Sequence, residues 1–224
     1  MLATANAGKA REMRVILGEG GLIVLDRPAD APDVEETGAT LEENAIAKAR
    51  AIGDHTGLAA LSDDSGLEVD ALGGRPGVRS ARYAGEHATY DENVSMLLAE
   101  LAGRGGGAFP GGVAEPAGTA RRAATAGPDG VGEVAGSLST ARFRTVACLY
   151  EPGGSVILAD GTIEGWIVGE RRGGGGFGYD PVFVPAGGGG RTFAEMAPKE
   201  KNLLSHRAAA LRSLLQALGD ESKL

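Results

Sequence analysis

The chain has a single cysteine, Cys148, so no disulfide can form within it and the fold must stand on packing alone. That fits a reducing compartment. Aromatic residues are scarce, at 4% of 224 residues, so any two that fall close together carry information. No apolar run approaches the roughly 20 residues that a membrane-spanning helix needs. The start, Met1-Leu2-Ala3-Thr4, lacks the basic and apolar regions of a secretion leader. The expected setting is therefore the cytoplasm, with no membrane partner. Positive charge is also in deficit, 22 basic against 30 acidic residues, for a net charge of −8. A general nucleic-acid binder needs an excess of cations to neutralise backbone phosphates, so nucleic acid is not an expected partner. A single nucleotide stays open, because a few convergent lysines and a divalent cation can serve one polyphosphate locally. No internal repeat is evident.

Glycine, by contrast, is plentiful at 38 residues, much of it clustered at 103–112, 173–176 and 187–190. The segments between carry clear periodicity. Leu2 to Thr4 reads as the end of a very short strand, and helical spacing follows at Met13, Ile16 and Leu17. Residues 22–25 read as a second strand and 27–38 as a polar loop. Thr40 and Glu43 form a capping box that opens a helix with Leu41, Ala45, Ala49 and Ile52 on its apolar face. A short strand at 58–61 runs into Ser62-Asp63-Asp64-Ser65-Gly66, read here as a turn at the strand's end. A second capping box, Thr89 with Glu92, begins a helix carrying Val94, Leu97, Leu98 and Leu101. The Gly/Ala-rich stretch at about 103–140 is poor in large apolar residues and reads as a disordered surface insertion. Strands are expected at 142–150, 155–159, 162–168 and 181–184, and a last helix from about Ser205 with Leu211, Leu214, Leu215 and Leu218 buried. Early strands alternate with helices and late strands cluster. The pattern predicts an α/β fold with a mixed, twisted sheet.

Several groups could do chemistry. Asp63 and Asp64 offer hard oxygen ligands that suit Mg²⁺ together with substrate phosphates, but Asp and Ser also simply favour turns. Glu35-Glu36-Thr37-Gly38 is a second acidic pair, and Asn44 and Lys48 share one helical face. Thr4-Ala5-Asn6-Ala7-Gly8-Lys9 puts small residues and a lysine where a helix begins, a place that favours anions, although the P-loop spacing is absent. Phe177-Gly178-Tyr179-Asp180 follows a glycine run and invites base stacking or simple anchoring of the loop. Lys201 and Ser205-His206-Arg207 add cations near the start of the last helix, whereas Trp166 and Cys148 fall in strand patterns and read as core. No one of these signals decides; together they point to a polyphosphate-bearing nucleotide.

In combination these strings resemble the inosine/xanthosine triphosphate pyrophosphatase family. The similar stretches are Ala3-Thr4-Ala5-Asn6-Ala7-Gly8-Lys9, Glu35 to Gly38 with Glu43-Asn44-Ala45 and Lys48, Ser62 to Gly66, Gly73 to Gly77 with Ser80-Ala81-Arg82-Tyr83, Gly176 to Pro181, and Glu200-Lys201 with Ser205-His206-Arg207. They occur in the family's order along nearly the whole chain. The resemblance implies a single two-lobed domain over 1–224, with an active-site cleft between the lobes of a long mixed sheet, and a homodimer. It implies Mg²⁺-dependent attack of water on the α-phosphorus of ITP, dITP or XTP, giving the monophosphate and pyrophosphate. By motif match Asp64 is the general base and a metal ligand, with Glu35 as the other metal carboxylate. Thr4, Asn6, Lys9, Lys48 and Ser65 would hold the triphosphate, and Phe177 would stack on the base. Gly178, Tyr179, Asp180, Lys201, His206 and Arg207 would complete the base and sugar pocket. Ala5 departs from the glycine usual in the family. The competing readings are a pyrophosphatase for other modified nucleotides and a nucleotide-binding regulatory module without turnover.

Overall fold

The computed structural model describes residues 1–104 and 134–221. Five strands form one open sheet in the order β2-β1-β3-β4-β5. They are β1 (Ala60–Val69), β2 (Pro76–Gly77), β3 (Ser137–Tyr150), β4 (Val156–Val168) and β5 (Phe183–Pro185). All four pairings are antiparallel, and the parallel contribution is a single bridge between Leu2 and Leu61. The helices are α1 (Ala7–Glu19), α2 (Leu41–Thr56), α3 (Tyr90–Arg104), α4 (Pro198–Leu204) and α5 (His206–Glu221). The α/β class with helices flanking a long sheet is the expected one. None of these helices is long and apolar enough to cross a membrane.

The sheet's two faces are covered by different helices, and β1 shows how the sequence arranges this. Leu61 packs with Ala147, Met13 and Leu211 in a cluster built by α1 and α5. The facing residues Val146 and Cys148 pack instead with Leu41, Ala45 and Ala49 of α2. A further cluster joins Leu67 and Val69, at the far end of β1, to α3, Phe143 and Phe183. Three of the helices, α1, α2 and α3, start at side-chain caps. The Asn6 side chain accepts from the amides of Gly8 and Lys9, the Thr40 hydroxyl from Glu43, and the Thr89 hydroxyl from Glu92.

Five sequence expectations are corrected. The Ser62 to Gly66 motif is not a turn but the middle of β1, paired residue by residue with β3. Residues 22–25 form no strand: Leu25 accepts one bond from the Leu2 amide, and Ile23 stands 92% exposed with nothing to pair against. The strands expected at 155–159 and 162–168 are one, because Asp160 and Gly161 stay extended and paired with Val146 and Thr145. Residues 137–140 belong to β3 rather than to an insertion, since the rows across from them, Trp166 to Val168, extend the ladder. Of the rest of that expected insertion, 103 and 104 end α3, 134–136 lead into β3, and 105–133 lie outside the described residues. Finally, the last helix is preceded by α4, which begins at Pro198 and ends at Leu204; the hydroxyl of the next residue, Ser205, accepts from the Ala208 amide to start α5.

Gly161 is what lets α5 lie against β4. A Cβ there would sit 2.1 Å from the His206 carbonyl oxygen and 2.2 Å from the Ala210 amide nitrogen, both backbone atoms. Gly161→Ala is therefore expected to push the first turn of α5 off the sheet and destabilise the chain by about 1–3 kcal/mol. Urea denaturation measures this, and an unchanged midpoint would refute the close-approach argument.

Candidate active site

Between Leu61 and Leu67, no described strand pairs with the outer edge of β1; Met1 to Ala3 meets it on one side and β2 on the other. A cleft of about 390 Å³ opens at this gap. Thr4, Asn6, Lys9, Lys48, Asp64, Ser65, Phe177, Gly178, Tyr179, Asp180, Lys201, His206 and Arg207 all line it. Glu35 does not; it is exposed, and Glu36 faces the cleft in its place. A bond from the Thr37 amide to the Glu35 carbonyl (3.1 Å) bends the loop there.

Strand geometry separates the two aspartates. Successive side chains on a strand point to opposite faces, so Asp64 turns toward α2 and Asp63 toward α1 and α5. Asp64 Oδ1 accepts from Lys48 Nζ at 2.7 Å, and its Oδ2 accepts from Asn44 Nδ2 at 3.2 Å. Lys48 also holds Glu36 at 2.8 Å, while Arg82 donates to the Glu36 carbonyl at 2.6 Å. Burial pushes the Asp64 carboxyl above the ordinary range, against the pull of Lys48 and Lys9. Burial acts on Glu36 in the same sense, but there Lys48, Lys9 and Arg82 together overcome it and the carboxyl is held low.

On the opposite face Asp63 is fully enclosed. Its Oδ2 meets Lys9 Nζ at 3.1 Å, Arg207 Nε at 3.0 Å and the Ser65 hydroxyl at 3.1 Å. Burial alone would raise its pKa, but the Lys9 and Arg207 charges overcome that and hold it far below the usual carboxylate range. Ser65 shares a second hydrogen bond with Thr145, at 2.7 Å. The chain of charges continues beyond Arg207, whose Nη1 binds Glu12. Glu12 pairs in turn with Lys201 at 2.9 Å, and Lys201 with Asp180 at 2.6 Å.

Asp180 closes the loop that carries Phe177 by accepting from the Phe177 amide at 2.8 Å. This requires glycine at 176, where φ is +72° and a Cβ would fall 2.0 Å from Asp180 Oδ2. The Lys201 ammonium lies 4.6 Å from the Phe177 ring centroid, so its three donors face Asp180, Glu12 and an aromatic ring. Tyr179 is 4% exposed and donates to the Ser80 carbonyl at 2.9 Å, which makes it an anchor of the loop. His206 stacks on Phe143 with centroids 4.6 Å apart and planes 11° from parallel. Burial, with Arg207 and Lys201 nearby, lowers its pKa well below the ordinary value, so the imidazole is neutral at physiological pH. Trp166 and Cys148 are buried, as their strand patterns implied.

Sequence reasoning missed Glu36, Glu12, Arg82 and Tyr90. A signal existed for Glu12, a charged residue set beside the buried stripe of Met13, Ile16 and Leu17, one turn after Lys9. None separated Glu36 from Glu35, because two adjacent acids in a loop carry no periodicity.

The cleft's arrangement can be set beside known proteins. A model of the Ham1 family matches residues 1–110 and 108–217. The chain is 44% identical to the dITP/XTP pyrophosphatase of Methylococcus capsulatus, over 97% of this chain and 96% of that one. It is 43% identical to the enzyme of the same name from Symbiobacterium thermophilum, over 97% and 93%. A solved HAM1 protein from Coxiella burnetii superposes with a TM-score of 0.75 at 36% identity, covering 98% of this chain and 97% of that one. The Ham1 protein of Staphylococcus aureus gives 0.70 at 33% identity, over 98% and 97%. On the family match, the identities and the shared fold, the chain belongs to the Ham1 family.

Proposed function

We propose that this protein hydrolyses the non-standard purine nucleotides ITP, dITP and XTP to the nucleoside monophosphate and pyrophosphate, clearing them from the cytoplasmic pool. The observation that carries this reading is one cleft in which three features meet: the capped start of α1 with Lys9, the Lys48–Asp64–Glu36 cluster, and a pocket walled by Phe177 and neutral His206. Relatives named dITP/XTP pyrophosphatase support the same substrate class.

The donor set fits Mg²⁺. Asp64 and Glu36 reach the same Lys48 ammonium, so their carboxylates share one locality of hard oxygen atoms. Mg²⁺ takes one or two protein carboxylates and completes its shell with phosphate oxygens and water, and Asp64 and Glu36 would supply the protein's share. Glu36 thus takes the metal role that the family resemblance gave to Glu35. When bound, the cation would acidify water and offset charge on the phosphate oxygens.

Asp64, as the carboxylate, accepts the proton of the attacking water. A bond from that water's oxygen to the α-phosphorus forms as the α–β anhydride bond breaks. Lys9 and Lys48 stabilise the departing pyrophosphate. Asn6 has its carbonyl oxygen committed to the α1 cap, so it shapes the phosphate turn and leaves its amide group to other partners. Asp63 does not touch the reaction; it fixes Lys9 and Arg207. Selection of a 6-keto purine requires a donor aimed at the keto oxygen, and His206 or Arg207 supplies it. A 6-amino group would set donor against donor, and buried mismatches of that kind give roughly 10²- to 10⁵-fold discrimination. A homodimer belongs to the same reading and is supported by the exposed apolar run Leu22, Ile23 and Leu25.

With Mg²⁺, pyrophosphate release from ITP and XTP is expected to exceed that from ATP by at least about 10²-fold. Orthophosphate as the product would overturn the reaction, and equal rates on ITP and ATP would overturn the selectivity. The two aspartates should fail differently. Asp64→Asn loses roughly 10²- to 10⁴-fold in kcat while remaining folded. Asp63→Asn loses about 3–5 kcal/mol of stability, because Lys9 and Arg207 keep their charges without a counter-charge. Since the folded-state pKa of Asp63 is depressed, the native chain's advantage is complete above about pH 5 and shrinks as the pH falls below the ordinary carboxylate range. Denaturant titrations of both chains from neutral to acid pH measure the gap, and a gap that widens on acidification would contradict the ion-pair account.

A further inference from the structure

Tyr90 is the one aromatic among the described residues that stands exposed, at 46%, and it lines the cleft. Leaving a large ring in water forgoes the stabilisation that burial would give, so its position calls for a reason beyond packing. The capping box of Thr89 and Glu92 makes Tyr90 the first residue of α3. The same helical turn is tied to the base-side loop by Arg171, which donates to the Asp91 carbonyl at 3.1 Å and the Ser95 hydroxyl at 2.7 Å. The tyrosine is therefore delivered to a fixed place.

There it touches both ends of the cleft. Its hydroxyl accepts from Asn6 Nδ2 at 2.7 Å, and its ring lies 6.2 Å from the Phe177 ring, tilted by 36°. The helix cap sets which way the Asn6 amide faces, and the first contact gives its NH₂ a partner. With its NH₂ on Tyr90, its carbonyl oxygen is the end left for the Gly8 and Lys9 amides, and a flipped amide would set its NH₂ against those two N–H donors. The second contact backs Phe177 from the side of α3, while Gly8 leaves so little room that a Cβ there would be 2.8 Å from the Phe177 ring.

We propose that Tyr90 is a positioning residue for the nucleotide. Its hydroxyl locks the phosphate turn through Asn6, and its ring limits the travel of the base-stacking Phe177. The inference rests on the nucleotide reading of this cleft, and the two parts of the side chain separate in their effects.

Calorimetric binding of pyrophosphate and of IMP to the native chain, Tyr90→Phe and Tyr90→Leu tests it. Removing the hydroxyl alone should weaken pyrophosphate binding by about three- to tenfold, the worth of one hydrogen bond, and change IMP binding by less than about twofold. Removing the ring as well should weaken both ligands. Thermal melts identify any variant that fails to fold, and an exposed site gives little reason for that. Pyrophosphate affinity in Tyr90→Phe equal to the native value would overturn the hydroxyl's role. IMP affinity in Tyr90→Leu equal to that in Tyr90→Phe would overturn the ring's role. Turnover is measured separately: a native chain that binds ITP and IMP but releases no pyrophosphate would refute the proposed reaction and leave the Tyr90 result standing.

Discussion

Buried charge is costly unless it is paired, and this fold sets six charged groups in one continuous row: Lys9, Asp63, Arg207, Glu12, Lys201 and Asp180, of which Lys9 and Glu12 are half-buried and the other four buried. The signs alternate and sum to zero, so each group offsets its neighbours and none is left alone in a low dielectric. The row crosses the protein from the start of α1, over the middle of β1, to the loop that carries Phe177. It joins α1, β1 and α5, which also share an apolar cluster, to α4 and the Phe177 loop. In doing so it sets the distance between the phosphate end and the base end of the cleft. A row of this kind is weak as a source of net stability and strong as a source of geometry, since breaking any link strands a charge.

The apolar clusters surround this row without crossing it. One cluster is built by α1 and α5 on one face of the sheet, another by α2 on the opposite face, and a third by α3 and the aromatic group of Phe143, Phe183 and Phe193. Phe143 belongs to the third cluster yet stacks on His206, at the head of α5. That contact joins the aromatic core to the cleft wall, where burial and the nearby cations lower the imidazole's pKa.

Much of this was legible in the sequence because it is local. The capping boxes at Thr40 and Thr89, the stripe of α5 and the asparagine before α1 each follow from residues within one or two turns of each other. The cleft's membership was legible through six ordered motifs. What could not be read depends on partners far along the chain. The Ser62 to Gly66 string looks like a turn by composition, and only the long β3 beside it makes it a strand. The apolar run at 22–25 looks like a strand and finds no ladder. Glu35 and Glu36 differ only in which way a loop bends, and that bend is fixed by Arg82, 46 residues from Glu36 in sequence. Lys201 lines the cleft as the resemblance implies, but its pairing with Asp180 and Glu12 joins residues that no local pattern connects.

The division of labour between Asp63 and Asp64 has a consequence for how this chain can vary. Their roles are assigned by parity along β1: odd positions answer to α1 and α5, even positions to α2. A single-residue insertion or deletion between Ala60 and Asp63 would exchange the two sets, sending the strut to the lysine of α2 and the base into the buried row. No compensating point substitution restores both at once. Surface loops that carry no cleft residue can lengthen or shorten at little cost, but the length of this strand is held by a counting rule.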